Sequence, residues 1–337
     1  MKNVCIITSH PFWSEPLGCG SLMRSRYELL TAISASLRVI FITRSDEQCP
    51  LPNSGTLKVQ GPFTEDHVDL LKSFVVREKI TTCFFSYNIF DQLAASLPCH
   101  TVVEIHDVLH LRQQAFNAHG FEPPLTIGRE EELESLGRFD RVLCINLDEA
   151  RYLADCGLAG VSYMPPSVPF APVPGPTGGP WAGLIGSRAV PNVDGLKHAL
   201  GAIVRLPHVV MAGAISEDPM LDDLGETRIE RLGVLPDVRA FYARINVALS
   251  PVRFGGGLKI KVFEALASGK PVVATSHSIA GFPEGIEGVV AVEDDFAAWT
   301  PDLVARAGAT RLSDIEHYFA ENFSVAKCRR LLESAIA

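Results

Sequence analysis

Features that would place a protein in a membrane or outside the cell are missing from this sequence of 337 residues. No uninterrupted apolar run approaches the ~18–20 residues that a membrane-spanning helix needs. The first seven residues contain one lysine and then a short apolar run, without the apolar core or cleavage site of a secretory signal. We therefore expect a cytoplasmic protein whose membrane association is at most peripheral.

Basic residues are also fewer than acidic residues in this sequence. The chain has 30 Lys and Arg against 39 Asp and Glu, which gives a formal net charge of −9. Nucleic-acid binding draws on a basic face, and binding to anionic lipid draws on lysine-rich amphipathic helices. We therefore expect no nucleic-acid partner, and any phosphate ligand must be bound by a few well-placed groups.

Cysteine spacing gives no sign of a metal cluster or of a disulfide framework. The eight cysteines are scattered along the chain, and none forms a C-x-x-C pair. Cys5, Cys83 and Cys144 lie inside apolar runs, where cysteine usually packs as a small hydrophobic residue. We expect free thiols and no metal site.

The sequence does contain a repeated alternation of short apolar runs and helical patterns. In the first half the pattern predicts strands at 4–8, 38–43, 82–86, 101–105 and 141–145. It restarts in the second half, with strands predicted at 182–186, 208–212, 246–249 and 271–275. Continuous apolar strands separated by helices indicate an α/β fold in which parallel sheets are covered on both faces.

A proline-rich stretch separates the two halves. Seven prolines fall between positions 165 and 180, which excludes a helix and a central strand there and predicts a semi-rigid linker. The resulting domains are a Rossmann-like domain at 1–164, the linker at 165–180 and a second Rossmann-like domain at 181–318. We expect residues 319–337 to form a C-terminal helix that packs back on the first domain.

Three consecutive glycines precede a predicted helix in the second domain, in the segment 255–264. Glycine leaves backbone amides open to close approach, and the amino end of a helix attracts anions. Lys259 and Lys261 would oppose the helix dipole there, at a cost of ~0.3–1 kcal/mol each. Their presence predicts a bound anion such as a diphosphate. The alternative is an ordinary surface pair between Lys261 and Glu264, three residues apart.

The longer segment 255–275 resembles the donor-site signature of retaining GT-B glycosyltransferases, the glycosyl transferases group 1 (GT4-like) family. Weaker similarities follow the family's order over nearly the whole chain, at 18–21, 105–107, 139–146, 191–196 and 232–237. The resemblance implies a GT-B fold, in which two Rossmann-like domains with parallel sheets face each other across a central cleft. It also implies that the first domain binds the acceptor and the second binds the nucleotide sugar.

The resemblance assigns donor-binding roles in the second domain. Lys261 would neutralise the diphosphate, and Glu264 would accept hydrogen bonds from the ribose hydroxyls. Arg188 is the candidate for a further catalytic cation. The remaining donor-binding candidates surround the glycine loop: Gly256, Gly257, Leu258 and Lys259.

In the first domain the resemblance places His106 at the donor sugar, near the reacting carbon, although a structural histidine is the alternative. Gly20, in a loop at 18–21, would approach the diphosphate. Trp13 and Asp107 are weaker candidates for the acceptor site, and packing at the core or its rim is an equal alternative for Trp13.

The function implied is metal-independent transfer of a sugar, with retention of configuration, to a glycan, peptide or small-molecule acceptor. No cofactor beyond the nucleotide-sugar donor is expected. The family commonly has a glutamate eight positions before Glu264, where this chain has Gly256. Two alternatives therefore stay open: a non-catalytic GT-B partner of a glycosyltransferase, and a non-hydrolysing nucleotide-sugar epimerase. A dehydrogenase is disfavoured because no G-x-G-x-x-G follows the first strand.

Overall fold

The structure is a computed structural model that describes residues 2–14, 18–60, 63–179, 181–222, 224 and 229–337, without the side chain of Cys19. It divides the chain into two units. Unit 1 comprises residues 1–111, 125–167 and 325–337, and unit 2 comprises residues 112–124 and 168–324. Each unit is built on its own parallel sheet, as the sequence predicts.

The sheet of unit 1 has seven strands in the order β3-β2-β1-β4-β5-β6-β7. The strands are β1 (Asn3–Thr8), β2 (Ser36–Thr43), β3 (Ser54–Lys58), β4 (Thr82–Ser86), β5 (His100–Ile105), β6 (Arg141–Cys144) and β7 (Val161–Tyr163). All neighbours pair in parallel. The order reverses between β1 and β4, and ligands commonly bind beyond the carboxyl ends of strands at such a point.

Helices supply the cover that the apolar strands of unit 1 require. They are α1 (Cys19–Ile33), α2 (Glu65–Arg77), α3 (Asp91–Ser96), α5 (Arg129–Leu136), α6 (Leu147–Asp155) and the C-terminal α13 (Val325–Ala335). A further helix, α4 (Leu109–Ala118), begins in unit 1, and its residues from Arg112 onward belong to unit 2. Val102 and Val103 are consecutive in β5 but belong to two different hydrophobic clusters. Because successive strand residues point to opposite faces, a strand covered on both sides has a continuous apolar run.

The sheet of unit 2 has six strands in the order β10-β9-β8-β11-β12-β13. They are β8 (Ala182–Ile185), β9 (Val209–Ala212), β10 (Ile229–Arg231), β11 (Val247–Ser250), β12 (Val272–Ala274) and β13 (Val290–Val292). Its helices are α7 (Val190–Ile203), α8 (Val238–Tyr242), α9 (Ile260–Ala267), α10 (Ser276–Ile279), α11 (Pro301–Gly308) and α12 (Leu312–Phe323). Here the order reverses between β8 and β11, so the loops after these two strands flank the expected ligand position.

The structure differs from the predicted domain limits at three places. Residues 319–337 are not one helix, because α12 ends at Phe323 and α13 begins at Val325; α13 belongs to unit 1. Residues 165–167 also belong to unit 1, whereas the proline-rich chain from Val168 belongs to unit 2. Finally, residues 112–124 group with unit 2 although they lie within the first half of the sequence.

The proline-rich stretch is held by backbone hydrogen bonds although it forms neither helix nor strand. The amides of Ala171 and Val173 donate to the carbonyls of Ala267 and Ser268 at the end of α9, over 2.9 and 3.0 Å. Part of the predicted linker is therefore an ordered segment of unit 2, hydrogen-bonded to the end of α9. All seven described cysteine side chains are free thiols, and Cys5, Cys83, Cys144 and Cys328 are buried. Among the described residues no helix has the length and apolarity to cross a bilayer.

Candidate functional site

The glycine loop lies between the carboxyl end of β11 and the start of α9. Gly255 and Gly257 have φ angles of +120° and +65°, a region that glycine enters without the steric cost other residues pay. The helix begins at Ile260, so Leu258 precedes it, Lys259 is its N-cap residue and Lys261 lies in its first turn. Both lysines lie at the amino end of the helix, but only Lys261 is within its first turn.

Lys259 stabilises the glycine loop directly. Its Nζ donates hydrogen bonds to the carbonyl oxygens of Gly256 and Gly257, over 2.9 and 3.0 Å. With these two carbonyls turned toward the lysine, the loop keeps a fixed path into the amino end of α9. Lys259 thus acts on the shape of the loop and also adds positive charge beside it.

Lys261 lies at the same edge of the sheet, beside the loop that follows β8. Its Nζ donates a 2.6 Å hydrogen bond to Oδ1 of Asn192, and a Cβ at Gly186 would lie 3.2 Å from the same Nζ. Desolvation, followed by the charge of Lys259, lowers the pKa of Lys261 to about 7, and the charge of Glu264 partly offsets this lowering. The ammonium therefore occupies a place where its charge is unfavourable without a further anion.

Glu264 is one turn further along α9 and is half-buried. Its carboxylate is close enough to Lys261 to raise the pKa of that ammonium. It also contributes, after burial, to the raised pKa of Tyr242, whose hydroxyl donates to the carbonyl oxygen of Lys261 over 3.4 Å. The predicted pair of Lys261 and Glu264 therefore shares one electrostatic environment at the start of α9.

Arg188 lies in the loop between β8 and α7. Asn192 of α7 connects this loop to Lys261, since its side chain bonds to both. The Asn192 side chain donates from Nδ2 to the carbonyl oxygen of Ser187 over 3.0 Å. The Arg188 side chain is 54% exposed, and its Nε lies 3.3 Å from Oδ2 of the buried Asp218. The structure thus brings the Arg188 loop to the first turn of α9, while the guanidinium itself is paired with Asp218.

Phe254 directly precedes Gly255, the first residue of the glycine loop, and anchors the loop by packing. It is 1% exposed, and its ring is nearly parallel to those of His119 and Phe121, with centroids 4.4 and 5.3 Å away. Both partners come from the 112–124 segment. That contact explains why a piece of the first half of the sequence belongs to unit 2.

The first-half candidates lie in unit 1. His106 directly follows β5 and is 5% exposed. Its Nδ1 is 3.0 Å from the hydroxyl of Tyr87, and its Nε2 is 3.6 Å from Oε1 of Glu104. Tyr87 has a φ of +64°, which is costly for a bulky residue and places its phenol beside the imidazole.

Glu104 connects His106 to a buried cation. Arg26 of α1 donates from Nε to Oε2 of Glu104 over 2.5 Å, and from Nη2 to the carbonyl oxygens of Met164 and Pro165 over 3.1 and 2.6 Å. Burial alone would raise the pKa of Glu104, but the charges and hydrogen bonds of Arg26 and His106 lower it. The imidazole therefore faces an ionised carboxylate that is held in place by a buried arginine.

Other unit 1 candidates have clear structural settings. Gly20 lies in the first turn of α1 and is buried, so the prediction of a loop at 18–21 is wrong from Cys19 onward. Trp13 packs edge-on against Phe41, with centroids 4.8 Å apart, which favours its packing alternative. Asp107, which follows His106, is 8% exposed.

Sequence reasoning missed the partners of the predicted residues. Asn192 lies in the segment 191–196, which resembles the family, but was not predicted to contact Lys261. Glu104 is a charged residue inside an apolar strand, and that pattern is a signal of a paired buried charge. Within the described ranges, no group of three or more His, Cys, Asp or Glu side chains is arranged to hold a metal ion.

Comparison with known proteins gives one family match and many structural matches. Residues 180–305 match the glycosyl transferases group 1 family. No curated protein matches the chain. Similar solved structures include HepE of Anabaena in complex with UDP, which is 13% identical with a TM-score of 0.72 over 100% of this chain and 99% of HepE.

Two further structures have the same architecture. The lipopolysaccharide outer core galactosyltransferase WaaB, in its apo form, is 12% identical with a TM-score of 0.68, over 99% of both chains. The OtsA apo structure is 11% identical with a TM-score of 0.64, over 100% of this chain and 99% of OtsA. These matches span whole chains and establish the GT-B fold, which confirms the predicted fold class.

Proposed function

We propose that this protein is a glycosyltransferase, because residues 180–305 match the glycosyl transferases group 1 family in a chain of GT-B fold. It transfers a sugar from a nucleoside diphosphate to an acceptor hydroxyl, without a metal ion and with retention of configuration. HepE was solved with UDP and with UDP-glucose. These complexes support a UDP-sugar as the first donor to test.

The observation that carries the proposal is the position of Lys261. Its ammonium is desolvated beside a second lysine, in the first turn of α9, and the amino end of a helix attracts anions. A diphosphate at this place would satisfy the amides and offset the unfavourable charge. Negative charge grows on the leaving diphosphate as the sugar departs, so the same groups would stabilise the transition state.

Other residues have supporting roles in the proposed reaction. Glu264 accepts hydrogen bonds from the ribose hydroxyls, and Arg188 supplies a second cation after exchanging Asp218 for phosphate. His106, oriented by Tyr87 and Glu104, contacts the donor sugar. Gly20 and the amino end of α1 approach the diphosphate.

The proposed route to retention needs no carboxylate nucleophile. The bond between the anomeric carbon and the phosphate oxygen breaks while the acceptor oxygen bonds to the same face of that carbon. The acceptor's proton moves to the departing phosphate oxygen, which acts as the base. The products are the glycoside and a nucleoside diphosphate, so atoms and charge balance.

Substitution at the start of α9 tests the proposal. We expect Lys261→Ala and Glu264→Ala each to lower kcat/KM, for Lys261→Ala by about 100-fold, the typical loss when one transition-state hydrogen-bond donor is removed. Lys197→Ala is the matched control, because Lys197 is an exposed lysine of the same unit. Turnover is measured with UDP-, GDP-, dTDP- and CMP-sugars, after thermal shifts have identified the nucleotide that binds. Normal turnover in both α9 variants would exclude this site.

Gly256 favours a second candidate, a non-catalytic GT-B partner of an active transferase. A glycine at this position lacks the carboxylate that the family commonly places against the sugar. This candidate predicts tight association with another protein and no turnover with any donor. Conversion of the free nucleotide sugar without an acceptor would instead identify an epimerase.

A further inference from the structure

Unit 1 contains a cavity of about 660 Å³ that the proposed donor site does not use. It is lined by residues that follow four strands: Ser9 after β1, Thr43 and Arg44 at the end of β2, Val59 after β3, and residues 89–93 after β4. The strand order reverses between β1 and β4, and α/β sheets bind ligands at such a point. The volume is also within the range of about 300–1,000 Å³ that is typical of small-molecule sites.

The buried floor of the cavity is apolar. Its buried lining side chains are Ile42, Val59 and Leu93, which are 5%, 4% and 1% exposed. Phe63 and Phe90 complete the wall, with ring centroids 5.9 Å apart and ring planes inclined at 53°. A sugar placed on this floor would leave the hydroxyls that face Ile42, Val59 and Leu93 without hydrogen-bond partners, at a cost of about 1–3 kcal/mol for each group. The two inclined rings suit an aromatic ligand, which can pack with one face and one edge.

Most of the polar lining residues are exposed at the rim, whereas Thr43 and Asp91 are half-buried. Arg44 and Glu65 are exposed there and carry opposite charges, and the hydroxyl of Thr64 is also exposed. Asp91 forms an ion pair with Arg138, so its charge is already compensated. The rim has little net charge to attract an ionic ligand, but it offers hydrogen bonds to a polar substituent at the open end.

We propose that this cavity binds the acceptor of the glycosyl transfer, and that the acceptor carries its hydroxyl on an uncharged aromatic ring system. The rings pack against Phe63 and Phe90 over the floor of Ile42, Val59 and Leu93, and the hydroxyl remains at the rim. The assignment as acceptor rests on the proposed function, whereas binding of the aromatic body depends on unit 1 alone.

Direct binding tests the chemical class. 4-Methylumbelliferone, a fused-ring phenol, is titrated into the whole protein by calorimetry, with methyl glucoside and 1-octanol in parallel titrations. We expect saturable binding of the phenol and none of the saccharide. Saturable binding of methyl glucoside, tighter binding of octanol than of the phenol, or no binding of the phenol would each overturn the proposal.

A matched pair of variants locates the bound ring. Ile89 lines the cavity and is 56% exposed, while Leu70 is 55% exposed on α2 and is not among the lining residues. Ile89→Asp places a charge against the ring, so we expect at least about tenfold weaker binding of 4-methylumbelliferone. Leu70→Asp makes the same chemical change, and binding should stay within twofold of wild type. Equal affinity in both variants would place the phenol elsewhere and overturn the proposal.

A separate titration with UDP distinguishes this inference from the proposed function. If UDP binds and 4-methylumbelliferone does not, the acceptor class is wrong and the donor site stands. If the phenol binds at Ile89 and no nucleotide or nucleotide sugar binds, the proposed function fails while the cavity remains a ligand site. Circular dichroism on both variants confirms that the protein is folded in each comparison.

Discussion

Lys261 is the residue whose protonation the proposed chemistry depends on most. Its pKa is about 7 because of desolvation and the neighbouring charge of Lys259. A bound diphosphate would favour the charged ammonium and raise this pKa. Below pH 7 Lys261 is already protonated in the free protein. Above pH 7 Lys261 is mostly neutral, so the protein must take up a proton when the diphosphate binds.

This linkage predicts that diphosphate affinity falls as pH rises above about 7. The dissociation constant of UDP should increase by up to about tenfold per pH unit until the pKa of the complex is reached. Calorimetry between pH 6.5 and 9, in buffers of different ionisation enthalpy, measures both the affinity and the uptake of one proton. In Lys261→Arg the cation does not titrate in this range, so its affinity should change little with pH. A wild-type affinity that is independent of pH would contradict the assignment.

The sequence predicts Lys261 and Glu264 but not their surroundings. Their spacing on one helix follows from local sequence alone. Asn192 is 69 residues from Lys261, and Arg26 is 78 residues from Glu104. Such pairings depend on which loops the sheet order brings together, and no local pattern encodes that order.

At the scale of elements, α7 is packed tightly on the chain that leads into the glycine loop. A Cβ at Gly195 would lie 2.3 Å from the carbonyl oxygen of Pro251, a contact that real side chains do not make. The backbone of α7 therefore approaches closely at this point. Pro251 is four residues before Gly255, so any displacement is passed toward the candidate site.

Gly195→Ala should therefore lower both thermal stability and UDP affinity. Gly201 is the control in the same helix, because a Cβ there would meet no atom within 4 Å. Gly201→Ala should raise stability by roughly 0.5–1 kcal/mol through reduced chain entropy and better helix propensity, and leave UDP affinity unchanged. Melting temperatures and UDP titrations of the two variants make the comparison. Similar behaviour of both alanines would show that α7 does not constrain the loop.

Central strands were predictable because burial on both faces produces continuous apolar runs. The edge strands β3, β7, β10 and β13 were missed, and all their residues except Val290 are half-buried or exposed. An edge strand lacks full cover, so its sequence lacks the apolar run from which the central strands were predicted. The start of α1 was missed for a related reason, since its glycine-rich first turn is typical of a loop.

At the scale of the whole molecule, the last helix of the chain belongs to the first unit. Cys328 and Leu332 of α13 are 0% exposed and belong to one hydrophobic cluster with Ile6. The hydroxyl of Thr82 donates to the carbonyl oxygen of Ile336 over 3.1 Å. Unit 1 is therefore complete only when the C-terminal residues are in place.

Leu332→Ala should destabilise unit 1 selectively, by about 2–5 kcal/mol for a fully buried leucine. Arg330→Ala changes an exposed position of the same helix and should have little effect. Hydrogen exchange should show faster exchange in β1 and β4 of Leu332→Ala, with β8 and β11 unchanged. Equal acceleration in both sheets would mean that α13 does not stabilise unit 1 specifically.

The alternation of strands and helices was enough to predict two parallel sheets, because it reflects burial within each unit. The division of the chain between units was less predictable at residues 112–124. Three of their side chains, Phe116, His119 and Phe121, contact Phe254 of unit 2. Single aromatic contacts between segments more than 130 residues apart leave no periodic signal.

A crystal structure of the protein with UDP tests the central claim most directly. The account predicts that the diphosphate accepts hydrogen bonds from the amides at the start of α9 and lies within 3.2 Å of Lys261 Nζ, a normal bonding distance. It also predicts that the ribose hydroxyls donate to Glu264. UDP bound away from α9, or a Lys261 side chain that still contacts only Asn192 in the complex, would contradict it.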